Sequence, residues 1–293
     1  MLGVLAMSAS CCAGQAERLA VPDVVERHAE RTEAQMEATS FREARETGEA
    51  DLTFAYVPAD GFAYRDERGE LTGVTIELLR DFAMYVAREH DIEVRVTWRE
   101  EPAWTSFYDD VRDSSGGVFG VGNVTITEER REELAFSPPY MVNVAALITH
   151  EDVPALPALE DIGDHFRDLT ALAFSGTLHE ERLEAIRARY MPAMRTRDAG
   201  SNQEILDRVG AGPEYFAYVD LYNYARARDD GAPLRRHEVG DDDAESFGVI
   251  LPRGSDWEPI MGDFFEEGYA EGERFRAILG RHLGEELAAR LSP

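Results

Sequence analysis

The sequence predicts an α/β protein with mostly parallel sheets. Segments that alternate apolar and polar residues, as strands do, are followed by segments whose apolar residues recur at helical spacing. Residues 118–122 form a continuous apolar run, which is typical of a strand buried on both faces. The same rhythm returns after residue 169. Because parallel neighbouring strands need a crossover connection, this alternation favours parallel sheets flanked by helices.

The first half of the chain carries the clearest single patterns. Residues 52–57 alternate and are rich in strand-forming side chains, which predicts a strand. Apolar residues over 74–89 recur at helical spacing, which predicts a helix. The same criteria predict a turn at 66–70, strands at 92–98, 118–122 and 142–149, a short helix at 106–113, and a helix that begins within 125–131.

In the second half, Thr177 and Glu180 have the spacing of a capping box, which predicts the start of a helix over 181–190. The other expected elements are strands at 169–174, 215–219 and 247–251, and helices at 201–209, 221–228 and 256–287, the last with a Gly-rich break. In open α/β sheets, ligands bind beyond the carboxyl ends of the strands. Polar segments at 122–130, 175–180 and 220–224 occupy that place, so we expect the binding site there.

Composition excludes several function classes. The 293 residues include 58 acidic and 30 basic side chains, a formal net charge of −28, and every basic residue is Arg. Such a charge argues against nucleic acid and anionic membranes as partners. The absence of Lys excludes a Lys-dependent phosphate loop or Schiff base. A hydrophobic fraction of 44% is that of a globular protein, and the length allows one large domain or two of about 100–150 residues.

The N-terminus resembles an export signal. Residues 1–9 are apolar and small residues follow, so we interpret residues 1–12 as a signal-like or lipoprotein-like segment, although no Arg precedes Arg18. Cys11 and Cys12 are candidate lipid anchors, and the expected location is periplasmic or otherwise extracytoplasmic. The alternative is an apolar N-terminus with no role. Residues 13–50, rich in Glu, Arg and Ala, are expected to form a poorly packed polar tether.

The segment 123–130, Asn-Val-Thr-Ile-Thr-Glu-Glu-Arg, is the strongest candidate for chemistry. It follows a predicted buried strand and opens a helix, where backbone N–H groups, two hydroxyls and a guanidinium form a receptor for a carboxylate. The alternative is structural: Thr125 and Glu128 form a capping box, and Arg130 is a solvated helix residue.

Residues 125–130, followed by Leu-Ala-Phe-Ser-Pro-Pro-Tyr at 134–140, resemble the signature of bacterial extracellular solute-binding proteins of the polar amino-acid class. Residues 69–79 are similar to the turn and first helix of that family, and 174–177 to its second-lobe anion loop. The resemblance spans about 52–287.

This resemblance implies a two-lobed fold of the type 2 periplasmic-binding-protein kind, in which each lobe is a mostly parallel sheet flanked by helices. Two strands would cross between the lobes near 144–150 and 244–249. Lobe 1 would comprise residues 51–146 and 244–293, and lobe 2 residues 147–243. Ligand would bind in the cleft, on which the lobes close by a hinge motion.

The resemblance also implies roles for the carboxylate end of an amino-acid ligand. Arg130 would pair with the α-carboxylate, with help from Thr125 and the loop amides. From the second lobe, Thr177 or its amide would add a further contact.

For the amino end, the family pattern implies that carbonyls at Gly122 or Asn123 face the α-amino group. Asp220, at the end of a second-lobe strand, would accept a charge-assisted hydrogen bond from it.

Aromatic side chains are expected around the rest of the ligand. Trp104 lies where the family often has a cleft aromatic, with ordinary core packing as the alternative. The usual first-lobe aromatic is absent at Ala59, and Phe62 or Tyr64 is expected to replace it. Leu178 replaces a hydroxyl residue of the family pattern, which leaves the ligand's identity open.

These features predict a monomeric binding protein that captures an amino-acid-like zwitterion or carboxylate for an ABC permease. No cofactor is expected, and no Cys, His or Asp spacing predicts a metal site. Two alternatives remain on the same scaffold. One is a dehydratase-like enzyme, with Glu180 or His179 as its general acid, and the other is a ligand sensor.

Overall fold

The structure is a computed structural model that describes residues 24–29 and 35–291, except for the side chains of residues 243 and 244. The signal-like segment at 1–12, with Cys11 and Cys12, lies outside the described residues. Within that description no helix is long and apolar enough to cross a membrane.

The described residues form thirteen strands, β1 to β13, which span Val24–Ala29, Glu49–Tyr56, Tyr64–Arg65, Leu71–Thr72, Glu93–Glu100, Val118–Thr125, Leu134–Phe136, Met141–His150, Thr170–Phe174, Arg195–Ala199, Tyr215–Asp220, Leu234–Arg236 and Asp242–Pro252. They also form eleven α-helices, α1 to α11, which span Phe41–Thr47, Val74–His90, Trp104–Arg112, Glu128–Glu133, Ile162–His165, Leu178–Arg189, Asn202–Ala211, Leu221–Asp229, Glu258–Glu266, Glu273–Leu283 and Glu285–Leu291. Short 3₁₀ turns lie at Leu159–Asp161 and Glu238–Gly240.

The strand order is β1-β5-β2-β6-β13-β8-β11-β9-β10, with β7 on β13 and β12 on β8. Strands β1, β5, β2 and β6 are parallel at one end of the order, and β11, β9 and β10 are parallel at the other. The pairs that join these groups, through β13 and β8, are antiparallel. This arrangement confirms the predicted α/β fold of two mostly parallel lobes joined by two crossing strands.

Both crossing strands change partner along their length. The first residues of β8 pair with β13, and from Ala145 onward β8 pairs with β11. Similarly, β13 pairs with β8 as far as Phe247 and continues on β6 and β7. The two strands therefore connect the two parallel groups, with register shifts in β13 between Asp242 and Glu245 and between Gly248 and Ile250. The lobe boundaries expected at 51–146, 147–243 and 244–293 stay a prediction.

The segment predicted as a polar tether differs from that expectation in its described part. Strand β1 pairs in parallel with β5, and the buried Ala44 of α1 belongs to the hydrophobic core. Two sets of contacts explain why this segment packs on the core. The Glu26 carboxylate accepts hydrogen bonds from Arg80 (2.8 and 2.9 Å) and from the Trp98 indole (3.0 Å). At the other end of the segment, Phe41 packs edge-on against Trp257, with ring centroids 5.0 Å apart.

Two local predictions are corrected at helix ends. The helical segment expected over 256–287, with one Gly-rich break, is three helices, α9 to α11. Gly268, at φ 80°, lies at a break of the expected kind, whereas the break at Gly284, at φ 84°, was not predicted. The cap of α4 is Thr127 rather than Thr125. The Thr127 hydroxyl accepts from the Arg130 N–H at 3.1 Å, since β6 continues through Thr125.

Candidate functional site

A cleft of about 690 Å³ lies between the two lobes. Seven of the eight residues that the sequence nominates line it: Trp104, Gly122, Asn123, Thr125, Arg130, Thr177 and Asp220. The eighth, Phe62, does not. Lobe 1 supplies the ends of β5 and β6 and the start of α4, whereas lobe 2 supplies the starts of α6 and α8. This is the position at the carboxyl ends of parallel strands where α/β proteins bind ligands.

Arg130 is held flat in the wall of the cleft. Its Nη1 donates to the Thr125 carbonyl at 3.0 Å. The guanidinium carbon lies 5.1 Å from the Trp104 ring centroid and 5.8 Å from that of Tyr108, and these two rings stack at 5.3 Å. Burial lowers the pKa of Arg130, against nearby charges that raise it. Within residues 24–29 and 35–291 Arg130 has no ion-pair partner, so it can receive a carboxylate.

The Gly122 carbonyl, expected to face an amino group, already accepts from the Trp104 indole N–H at 3.3 Å. A side chain at position 122 would not fit, since a Cβ there would lie 2.8 Å from the Phe107 ring. Trp104 therefore contacts both Arg130, in the predicted carboxylate region, and the Gly122 carbonyl, in the predicted amine region. Phe107 explains the requirement for glycine at position 122.

Asn123 occupies the left-handed region with φ 53°. Its Nδ2 donates to the Tyr222 hydroxyl at 2.8 Å, and its Oδ1 accepts from the Tyr140 hydroxyl at 3.1 Å. The side chain thus ties the end of β6 to helix α8, and only its backbone carbonyl remains for the role that the sequence predicts.

Asp220 lies on the opposite side of the cleft and is 8% exposed. Its Oδ1 accepts from Asn143 Nδ2 at 2.6 Å, and His179 Nε2 lies 3.4 Å from the same oxygen. Its other oxygen, Oδ2, receives no hydrogen bond from the described residues. One carboxylate oxygen is therefore left to accept from a ligand.

Thr177 contributes less than the sequence implies. Its hydroxyl donates to the Phe174 carbonyl at 2.7 Å, so its proton is already used. The Glu180 carboxylate accepts from the Gly176 N–H at 2.9 Å and occupies one amide of the predicted anion loop. That amide is closed to a ligand while Glu180 remains in place.

The nomination of Phe62 is corrected by the structure. Phe62 is 1% exposed and packs against Tyr222, with ring centroids 4.4 Å apart. It supports the cleft from behind. Of the other positions considered for this aromatic, Ala59 and Tyr64 line the cleft, and the Tyr64 hydroxyl lies 3.0 Å from His282 Nδ1.

Sequence reasoning missed two polar residues of the crossing strands, Asn143 and Glu245. Both are buried, and Asn143 Nδ2 donates to Glu245 Oε2 at 2.7 Å as well as to Asp220. Asn143 gave a signal in the sequence, because it is a polar residue inside the otherwise apolar strand β8 and such residues are seldom buried without a partner. Glu245 gave none, because the part of β13 around it is polar. In the described part of the chain no group of three or more His, Cys, Asp or Glu could hold a metal ion.

Comparison with known proteins identifies the family. The model of the bacterial extracellular solute-binding proteins, family 3, matches residues 52–278. The chain belongs to this family.

Solved structures share the fold. An ancestral arginine-binding protein bound to arginine superposes with a TM-score of 0.65 at 17% identity, over 80% of this chain and 98% of that one. A protein described for glutathione import via GshT and the cystine ABC importer TcyBC of Streptococcus mutans gives 0.66 at 17%, over 80% and 95%. An ancestral amino acid-binding protein, described as a precursor of cyclohexadienyl dehydratase, gives 0.64 at 18%, over 83% and 98%. At these identities the likeness shows the fold alone.

A curated relative is longer. The membrane-bound lytic murein transglycosylase F of Maricaulis maris (strain MCS10) is 28% identical over 179 residues, which are 60% of this chain and 37% of the relative. The chain thus spans little more than a third of the length of this relative.

Proposed function

We propose that this protein captures a small zwitterion, an amino acid or a close analogue, in the cleft between its lobes and does not transform it. The observation that carries the proposal is a pair of unmatched opposite charges. Among the described residues, the Arg130 guanidinium on lobe 1 donates to the Thr125 carbonyl but has no ion-pair partner, and Asp220 Oδ2 on lobe 2 accepts no hydrogen bond. Both residues line the same cleft. The α-carboxylate would pair with Arg130 and the α-amino group with Asp220.

Closure follows from this division of charge. A ligand can shift a conformational equilibrium only by binding one state more tightly than the other. A zwitterion that bridges Arg130 and Asp220 meets both partners only when the lobes are together, so binding and closure are coupled. The crossing strands β8 and β13 are the natural hinge, because they belong to both halves of the sheet.

We propose further that the protein works outside the cytoplasm, as its family's description suggests, and presents its ligand to an ABC permease as a monomer. The ABC importer named for the glutathione-import structure supports this partner by analogy of fold alone. A lipid on Cys11 or Cys12 would hold the protein at the membrane.

One observation favours an alternative. The relationship to a lytic murein transglycosylase suggests that this kind of domain also serves as a ligand-recognition module beside a catalytic domain. A dehydratase-like activity is the other alternative, and His179 beside Asp220 would be its candidate acid. Turnover of a bound ligand would favour the enzyme, whereas tight binding with the ligand recovered intact favours capture.

A thermal-shift screen against the amino acids and related small acids tests the proposal. A ligand at 100 times its Kd stabilises the folded protein by about 2.7 kcal/mol, which raises the melting temperature visibly. At equal concentration, we expect stabilisation by at least one α-amino acid and a much smaller stabilisation by its decarboxylated amine, which keeps the contacts of the ammonium group and loses those of the carboxylate. Stabilisation by neither zwitterions nor carboxylates would contradict the proposal.

A further inference from the structure

We infer that Glu245, on crossing strand β13, is a second acceptor for the ligand's ammonium group and restricts the cleft to ligands with a primary ammonium. The inference rests on the proposed function, in which Asp220 is the first acceptor. The carboxylates of Asp220 and Glu245 share the side-chain amide of the buried Asn143.

Asn143 joins the two carboxylates. Its Nδ2 lies 2.6 Å from Asp220 Oδ1 and 2.7 Å from Glu245 Oε2. Because the two protons of an amide nitrogen diverge by about 120°, the two acceptor oxygens are about 4.6 Å apart. Two hydrogen bonds of about 2.8 Å span up to about 5.6 Å, so one ammonium nitrogen on the cleft side can reach both carboxylates. Glu245 and Asp220 both line the cleft.

Helix α6 supplies the groups behind the pair. Arg182 pairs with Glu245 Oε1, and its Nη1 lies 3.3 Å from His179 Nδ1. A guanidinium only donates, so His179 Nδ1 is the acceptor of that pair. His179 Nε2 lies 3.4 Å from Asp220 Oδ1. Arg182 and His179 therefore contact the two carboxylates from the side of α6 and leave their cleft side to a ligand.

The cluster lacks one positive charge on its cleft side. Asp220 and Glu245 are 8% and 7% exposed, and Arg182 is the cation that pairs with this buried layer. Arg182 also pairs with Asp242, at 2.9 Å, on the outer side, where that side chain is 43% exposed. Arg130, across the cleft, is the other cation whose charge reaches Glu245, but it forms no ion pair with either carboxylate among the described residues. With Asp220 Oδ2 unpartnered as well among those residues, a ligand cation between the two carboxylates would be stabilised.

An ammonium satisfies this geometry in a way that other cations do not. Its three N–H donors can be divided between Asp220, Glu245 and a backbone carbonyl of the opposite lobe. An N-alkylated ammonium carries the same charge with fewer donors, and a quaternary one has none. Discrimination between equally charged ligands therefore reports hydrogen bonding rather than charge attraction, and the part of it that is lost when Glu245 is changed reports the second acceptor.

The test uses methylammonium and tetramethylammonium chloride as probes on the purified chain. Binding is followed by melting temperature and by the ¹⁵N resonance of the Asn143 side-chain amide. We expect methylammonium to bind about tenfold more tightly and to shift that resonance, since each charge-assisted hydrogen bond contributes strongly. Glu245→Gln, which keeps the shape and removes the charge, should reduce the preference several-fold. Asp242→Asn, the matched control on the same arginine, should keep it.

Equal binding of the two probes, or methylammonium binding that leaves the Asn143 resonance in place, overturns the inference. An unchanged preference in Glu245→Gln also overturns it. Should that variant not fold, trimethylammonium decides, because its single N–H can satisfy one acceptor but not two. It should then bind more weakly than methylammonium, and equal binding of these two ions would overturn the inference. Neither probe carries a carboxylate, so this test is independent of Arg130. If no amino acid stabilised the protein in the thermal-shift screen, the proposed function would be contradicted, and the comparison of the two ammonium probes could still be interpreted. An amino acid that binds equally well as its N-methyl derivative would contradict only the role of Glu245.

Discussion

The side-chain amide of Asn123 donates to the hydroxyl of Tyr222 across 2.8 Å, and this bond joins the end of strand β6 to the first turn of helix α8. Tyr222 is buried, and its ring rests on Phe62. Both residues are close to the proposed ligand contacts, since Asn123 follows Gly122 and Tyr222 follows Asp220 by two positions. The bond therefore joins the two sides of the cleft in this structure.

We expect Tyr222→Phe to lower the free energy of unfolding by about 1–2 kcal/mol, because it leaves the partly buried Asn123 amide without its acceptor. Ligand affinity should fall as well, since the carbonyl of Asn123 loses its support. Urea denaturation and calorimetry measure the two effects. The matched control is Tyr215→Phe, which removes a hydroxyl that accepts from Arg197 at an exposed site. If both variants are equally stable, the Asn123–Tyr222 bond does not hold the cleft.

His237 predicts an acid-sensitive second lobe. Its Nδ1 accepts from the Leu156 N–H at 3.0 Å, and its Nε2 lies 2.8 Å from the Thr149 hydroxyl, so the ring is neutral. Burial first, and Arg235 second, lower the pKa of His237 from 6.5 to about 4. Between these values the unfolded chain binds a proton that the native protein does not, so stability falls as the pH drops from 6.5 to 4.

The loss reaches up to about 3 kcal/mol, at 1.36 kcal/mol for each unit of pKa. Urea denaturation at pH 7 and at pH 4.5 measures it. The decline between the two pH values should be smaller in His237→Asn than in the wild type, while His165→Asn, at an exposed site, should keep the full decline. If the free energy of unfolding of His237→Asn declined as much as that of the wild type, carboxylates alone would cause the acid sensitivity.

Glu26 anchors strand β1. Although burial raises the pKa of Glu26, the hydrogen bonds and charge of Arg80 and the Trp98 N–H outweigh it and hold the pKa below its ordinary value. Glu26→Gln should therefore lower the melting temperature at pH 7. A carboxyl group whose pKa is lowered by folding stabilises the folded state above its unfolded pKa of about 4.5, and this stabilisation is lost as the pH falls through the folded pKa. The difference in melting temperature between Glu26→Gln and the wild type should therefore be smaller at pH 3.5.

Glu46→Gln, at an exposed position of α1, is the control and should change little. Faster amide hydrogen exchange over residues 24–29 in Glu26→Gln would localise the effect to β1. Unaltered exchange there would contradict the anchoring role.

The contrast between β1 and the buried strands explains what the sequence could predict. Strands such as β6 bury apolar side chains on both faces, and their composition alone reveals them. Edge strands such as β1 and β10 expose most of their side chains, and backbone pairing to β5 and β9 holds them in place. Such pairing leaves no apolar pattern in the sequence. For this reason β1 was expected to be part of a tether, and no strand was predicted at β10.

The candidate site divides in the same way. Arg130 and Asp220 could be nominated because each stands at a strand or helix end within a recognisable pattern. Asn143 and Glu245 could not, since their contact depends on how β8 and β13 cross. Phe62 was wrongly expected to line the cleft. The sequence shows which residues near the cleft are aromatic, but the turn before α2 determines which of them points into the cleft. There Gly73, at φ 126°, lies so close to the Phe62 carbonyl that any Cβ would collide with it.

The most direct measurement of the central claim is calorimetric titration of Arg130→Ala with the amino acid that stabilises the wild type best. We expect affinity to fall by about 2–5 kcal/mol, because the ligand carboxylate would enter the cleft without its partner. Arg131→Ala, on the next residue of α4, where the guanidinium lies over the Phe136 ring, is the control and should bind as the wild type does. Wild-type affinity in Arg130→Ala would contradict the account.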